Sequence, residues 1–96
     1  MSTLHTINGS PASALAQQFL AAISSGDAVL FLEDGVYHTQ SQFLPAPLPE
    51  NVKLYGLRED CTARAVLEKV DAKVNLINYA DFVALSCEHD RVISWF

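Results

Sequence analysis

The first 52 residues of this 96-residue chain contain no lysine and no arginine. They hold four charged side chains, Asp27, Glu33, Asp34 and Glu50, while the other thirteen, including all six bases, follow Val52. Charge is scarce overall, at 18% of residues against about 25% in average soluble proteins. With half of the residues hydrophobic, that composition excludes a disordered chain, which needs low hydrophobicity and high charge. A net charge of −5 excludes the basic surface that neutralises nucleic-acid phosphates.

Cysteine is equally sparse. Cys61 and Cys87 are too few for a disulfide scaffold. The opening Met-Ser-Thr-Leu-His-Thr lacks the cationic segment followed by an apolar one that marks a secretory leader. The expected setting is therefore the cytoplasm, with reduced thiols. No apolar run approaches the ~20 residues of a membrane helix, so no membrane partner is expected. No internal repeat is visible, and the length suits one compact domain over residues 1–96.

What is present reads as alternating strands and helices. Thr3 to Ile7 is β-prone and stops at Asn8-Gly9-Ser10-Pro11. Ala12, Leu15, Phe19, Ala22 and Ile23 recur at three- and four-residue spacing, which predicts a helix from Pro11 to about Ser24, ended by Gly26. Ala28 to Leu32 is a continuous apolar run, the pattern of a strand buried on both faces. Glu33-Asp34-Gly35 predicts a turn, and Val36 to Gln42 a short helix or irregular segment. Pro45, Pro47 and Pro49 enforce an extended loop.

Val52 to Leu57 predicts a third strand. A helix from Glu59 or Asp60 follows, with Ala63, Val66, Leu67 and Val70 on one face. Val74 to Ile77 predicts a fourth strand. A helix from Tyr79 to about Glu88 then sets Tyr79, Phe82, Val83 and Ser86 on one side, and Val92 to Phe96 is a last strand. This alternation specifies a three-layer α/β fold with a mostly parallel sheet of about five strands. The flavodoxin-like order 2-1-3-4-5 is the simplest expectation for it.

Few residues carry a chemical signature. His5, His38 and His89 show no metal-ligand spacing to one another or to the cysteines, and His5 reads as a hydrogen-bonded histidine of core or rim. Asn8-Gly9-Ser10-Pro11 has one glycine and no Walker lysine, so it reads as turn and cap rather than a phosphate cradle. No cofactor motif is present. Glu33 and Asp34 are adjacent, which points them apart on extended chain and makes no acid/base pair. Cys61 is the one thiol with a chemical argument. Near a helix start its thiolate would be favoured by the dipole and by Arg58 and Arg64, though Glu59 and Asp60 oppose it. Cys87, late in its helix, reads as structural.

The first helix carries the remaining signal. Residues 11–25 contain no charge, and the outward face expected there holds Ser13, Ala14, Gln17, Gln18 and Ala21. Such a face is covered by another subunit without desolvating any charge. Trp95 and Phe96, two large aromatics in succession, need a pocket on their own domain or on a neighbour. Ser13, Gln17, Gln18, Trp95 and Phe96 are the interface candidates.

Several segments in order resemble one family. Leu4-His5-Thr6-Ile7-Asn8-Gly9-Ser10-Pro11 is similar to the Leu-His-Thr-x-x-x-Ser-Pro opening of the DsrH/TusB sulfur-relay subunits. Leu30 to Tyr37, Lys53-Leu54-Tyr55, Glu59 to Arg64, Asn78 to Val83 and Ser94-Trp95-Phe96 continue the likeness over essentially the whole chain. The resemblance implies a DsrE/F/H-like domain in a heterohexamer with TusC/DsrF-like and TusD/DsrE-like subunits. In one branch that complex relays persulfide sulfur for 2-thiolation of the tRNA wobble uridine, with no direct nucleic-acid binding implied for this subunit. In the other it serves sulfur oxidation. In both, the transferring cysteine sits mainly on the TusD/DsrE-like partner, whereas sulfur-oxidation DsrH subunits carry their own in the first helix. Ala14 to Ile23 contains no cysteine, which favours the tRNA branch and a non-catalytic subunit. The alternatives are a persulfide carrier using Cys61 and a stand-alone homodimeric binding module.

Overall fold

The computed structural model describes residues 2–14 and 16–95, the Gln17 side chain excepted. Five strands, β1 (Thr3–Ile7), β2 (Ala28–Phe31), β3 (Lys53–Leu57), β4 (Val74–Ile77) and β5 (Arg91–Trp95), form one sheet in which every pairing is parallel. Three α-helices, α1 (Ala16–Ala22), α2 (Arg58–Ala63) and α3 (Tyr79–Glu88), and 3-10 turns connect them. The α/β class with a five-stranded parallel sheet is as the alternation specifies.

The strand order is β4-β3-β2-β1-β5. The expected 2-1-3-4-5 shares its β1–β2 and β3–β4 neighbours, but β3 lies against β2 and β5 against β1. The chain therefore steps in one direction through four strands and then returns to the free edge of β1. Backbone ties between strand starts hold the third strand beside the second: Lys53 N–H donates to the Asp27 carbonyl and Gly26 N–H to the Glu50 carbonyl. At the other edge the Asp90 N–H donates to the Ser2 carbonyl, and the Thr6 and Ser94 hydroxyls pair at 3.0 Å.

Right-handed crossovers make this winding sort the layers. Connections that step one way lie on one face and the reversing connection on the other. Accordingly Phe19 of α1, with Ile23 just beyond it, packs on Ile7, Val29, Phe31, Leu54 and Val74, joined by Leu44 and Leu48 of the proline loop. Leu85 and Phe82 of α3 pack on the opposite face, over Leu4, Ala28, Leu30 and Leu57. β2 is buried on both sides throughout, as its unbroken apolar run requires.

The helices differ from expectation in extent and phase. Residues 11–14 form turns, and the regular helix is the seven residues of α1. Gly26 follows at φ +86°, a conformation natural to glycine. α2 stops at Ala63 because Ala65 adopts φ 57°, which turns Val66 inward to donate its N–H to the Cys61 carbonyl and pack with Val36. A separate 3-10 turn, Leu67–Lys69, replaces the expected continuous helix. α3 has the expected bounds and opens with a capping box, Asn78 accepting from Asp81 N–H and Asp81 from Asn78 N–H. Its inward face is Phe82, Leu85 and Ser86, however, while Tyr79 and Val83 point to solvent.

Gly35 is where the fold tolerates least. The 3-10 helix Glu33–Thr39 leaves β2 across the end of β1, with Leu32 N–H donating to the Ile7 carbonyl. A Cβ on Gly35 would lie 1.9 Å from that same oxygen. Because the obstacle is backbone at the centre of the sheet, Gly35→Ala is expected to lower stability by about 3 kcal/mol, read as a lower urea midpoint at unchanged slope.

Candidate functional site

Parallel sheets offer their sites at the carboxyl ends of the strands, and here that rim is occupied by structural ties. The Asp60 carboxylate accepts the Glu33 N–H at 2.6 Å, and the Glu59 carboxylate accepts the Tyr79 N–H at the start of α3 at 3.2 Å. Arg64 Nε donates to Asp34 at 2.9 Å across an exposed pair, a contact of small energetic weight. Four carboxylates thus crowd the rim and repel an anionic ligand.

Cys61 does not reach this rim. It is fully buried in a pocket with Val36 and Val66, its sulfur 3.6 Å from where a Gly56 Cβ would sit. Because α2 opens at Arg58, Cys61 also falls beyond the helix start expected for it. Burial pushes its thiol up from the ordinary value; the Thr39 hydroxyl acts the other way, Asp60 adds to the rise, and Arg58 opposes it. The Cys61 sulfur thus lacks the exposure that a thiolate nucleophile needs, and the side chain fills space in this cluster. Cys87 is exposed on α3.

The interface candidates separate. Gln18 is exposed, and Ser13 and Trp95 are half-buried. Phe96 and the Gln17 side chain lie outside the described residues. The exposed positions around α1 are Ala12, Ala14, Gln18, Ala21, Ala22, Ser24 and Ser25, none of them charged, and Asp90 and Arg91 border them in the groove beside Ala22 and Ser24. Trp95 finds its pocket on its own domain, packing at the edge of the α1-side core.

Its indole leads to a buried polar chain that composition alone did not reveal. Trp95 Nε1 donates to His5 Nδ1 at 3.2 Å, and the other ring nitrogen of His5 lies 2.9 Å from Asp27 Oδ2. An indole N–H only donates. His5 Nδ1 must therefore accept, which places the ring proton on Nε2 facing Asp27. Asp27 also accepts the backbone N–H groups of Thr3 at 3.0 Å and Ser24 at 2.9 Å. Burial works to raise the Asp27 carboxyl, but the hydrogen bonds from Ser24, His5 and Thr3 together outweigh it and hold it below the usual carboxylate value. The one signal for this in the sequence is an acid directly before a buried strand, in a half that has no lysine or arginine to pair with it.

The other histidines are structural as well. His38 is buried, stacked on Phe31 at 5.2 Å and edge-on to Phe19 at 5.6 Å. Burial pushes its pKa down, against the Phe43 and Gly9 carbonyls. His89 Nδ1 lies 2.8 Å from the Ser2 hydroxyl. Among the described residues no three His, Cys, Asp or Glu side chains converge as metal ligands.

Two outcomes follow from this geometry. Asp27→Asn leaves an amide that cannot accept at both positions, and is expected to cost about 3 kcal/mol at neutral pH. Because the folded carboxyl is held low, its contribution is complete above the unfolded carboxylate value and is lost as pH falls through the folded one. The gap between wild type and variant, measured by urea unfolding, is thus expected to narrow below about pH 4. Separately, a thiol reagent such as dithiobisnitrobenzoate is expected to label Cys87 alone in the native protein, and Cys61 only after unfolding.

Comparison with known proteins places this architecture. The family model described as DsrH like protein matches residues 9–92. The chain is 36% identical over 94 residues to Protein TusB of Pectobacterium parmentieri, spanning 96% of this chain and 99% of that protein. It is 33% identical over 94 residues to Protein TusB of Escherichia coli (strain K12), with the same coverage, 96% and 99%. Among solved structures the fold is similar to that of Protein Tm0979 from Thermotoga maritima, with TM-score 0.67 and 21% identity over 90% of this chain and 92% of that one. It is also similar to the ychN protein from E. coli, with TM-score 0.71 and 12% identity over 99% and 100%. The resemblance carried by the sequence segments and the full-length matches coincide, and the chain belongs to the DsrH/TusB family.

Proposed function

We propose that this protein is a non-catalytic subunit of a sulfur-relay complex, assembled with TusC/DsrF-like and TusD/DsrE-like partners as a heterohexamer in the cytoplasm. The complex passes persulfide sulfur toward 2-thiolation of the tRNA wobble uridine. The observation that carries this reading is the end-to-end relationship to proteins named TusB, at 36% identity over 94 residues.

Three features of the chain support it. A sulfur carrier needs an exposed thiolate that an acceptor can approach, and Cys61 is fully buried. The first helix, where sulfur-oxidation relatives carry a cysteine, reads Ala-Gln-Gln-Phe-Leu-Ala-Ala. The uncharged outer surface around that helix, with Ser13 and Gln18 on it, suits burial against another subunit, since no charge is stranded there. Gln17 and Phe96 extend the same proposed interface. The subunit acts by shaping the site around a partner's cysteine and by docking the donor or acceptor of sulfur.

Co-expression with TusC-like and TusD-like subunits is expected to yield one complex of defined mass. Cells lacking the chain are expected to lose wobble-uridine 2-thiolation, read by mass spectrometry of digested tRNA, while Cys61→Ala restores it as fully as wild type. A chain that joins neither partner, or an intact Cys61→Ala complex that no longer supports thiolation, overturns the reading.

A further inference from the structure

Two places in the chain set an asparagine or aspartate directly before a glycine, Asn8-Gly9 and Asp34-Gly35. In that arrangement the glycine nitrogen closes most readily on the preceding side chain to form a cyclic imide, because no Cβ shields it or restricts its approach. The structure separates the two pairs. Gly35 N–H donates to the Leu32 carbonyl at 2.9 Å, and the Asp34 carboxylate accepts from Arg64 Nε at 2.9 Å. Both reacting groups are committed there, and Gly35 is wedged against the Ile7 carbonyl.

Asn8-Gly9 is uncommitted. Asn8 lies just past β1, and its own N–H donates to the Trp95 carbonyl at a long 3.4 Å. Among the described residues, neither the Asn8 carboxamide nor the Gly9 N–H has a hydrogen-bond partner, and both residues are half-buried. The φ of Gly9 is not in the left-handed region, so the backbone does not require glycine there. The other three asparagines precede bulkier residues, Val52, Leu76 and Tyr79. Of these, the Asn75 amide donates to the Leu54 carbonyl, and the Asn78 side chain caps α3.

We propose that Asn8 is a site of spontaneous deamidation, converted to aspartate and isoaspartate through an imide with Gly9. The Gly9 nitrogen gives its proton to hydroxide and bonds to Asn8 Cγ. The bond from Cγ to Nδ2 breaks, and the amide nitrogen leaves as ammonia with a proton taken from water. Water then opens the ring. Cleavage between the Gly9 nitrogen and Cγ leaves aspartate; cleavage at the main-chain carbonyl carbon leaves isoaspartate, with Gly9 joined through the side chain. The sum converts an amide and a water into a carboxylate and an ammonium ion, with no change of oxidation state. The product sets a further carboxylate close to the Glu33–Asp34 turn, since Asn8 Cα lies 3.4 Å from where a Gly35 Cβ would sit. Isoaspartate also lengthens the main chain between β1 and Gly9, whose carbonyl meets the buried His38. The reaction needs no partner and is independent of the sulfur-relay reading.

The test holds the full chain in warm, mildly alkaline buffer, native or unfolded in urea, and follows each asparagine by peptide mass spectrometry. Isoaspartate is read by enzymatic methylation of its carboxyl group. In the native protein, conversion at Asn8 is expected to run at least about tenfold faster than at Asn51, Asn75 or Asn78, and to quicken as pH rises. Gly9→Ala is expected to slow it about tenfold. The added Cβ meets only the Ser13 side chain, its hydroxyl at 3.0 Å, which can rotate away and leave the fold intact. Asp34 is expected to form isoaspartate in urea and not in the native chain, whereas Asn8 converts in both. Native Asn8 that converts no faster than the other asparagines overturns the proposal. So does an unchanged rate in Gly9→Ala, or protection of native Asn8 relative to urea as strong as that of Asp34.

Discussion

The fold hangs on β1 having two free edges that are filled at different times along the chain. One edge takes β2 immediately after α1, and the other waits for the last strand. Until β5 arrives, the centre of the final sheet is an open edge with unpaired backbone donors and acceptors, which a native structure does not leave uncovered. The Trp95–His5–Asp27 chain secures that closure with side chains as well as backbone. It joins the last strand to the first and the first to the start of the second. Its carboxylate is satisfied by three N–H donors, so the buried charge is compensated at each position it faces.

The same closure explains why the two faces of the sheet are unequal. Three connections made in one direction all fall on the α1 side, giving it two α-helices, a proline loop and a set of 3-10 turns. The single reversing connection leaves α3 alone on the other side. A ten-residue helix is about 15 Å long and does not cover a five-stranded sheet. Exposed Tyr79, Val83 and Val92 are the consequence of topology.

The chemistry is correspondingly sparse. Carboxylates at the rim are committed to backbone N–H groups and to Arg64, and the one thiol placed near a helix start is sealed behind Val36 and Val66. What remains available is surface: the uncharged exposed positions of α1 and the apolar outer side of α3. In the function we propose, a subunit built this way contributes position and shape to a reaction that another chain's sulfur performs.

Local pattern alone determined the element types, the limits of α3 and β4, and a mostly parallel sheet, because these depend on residues close in the chain: the capping pair Asn78 and Asp81, or the unbroken run through β2. It also marked the first half as free of lysine and arginine and the first helix as free of charge. Tertiary structure decided the rest. The strand order rests on contacts such as Thr6 with Ser94, 88 residues apart, which no local period encodes. The inward face of α3 was undetermined because Tyr79, Phe82, Val83 and Leu85 make the helix apolar on more than one side, and only the sheet beneath selects Leu85. The burial of Cys61 was likewise not legible, because it depends on Ala65 turning Val66 back over the sulfur and on Val36 arriving from a distant segment of the chain.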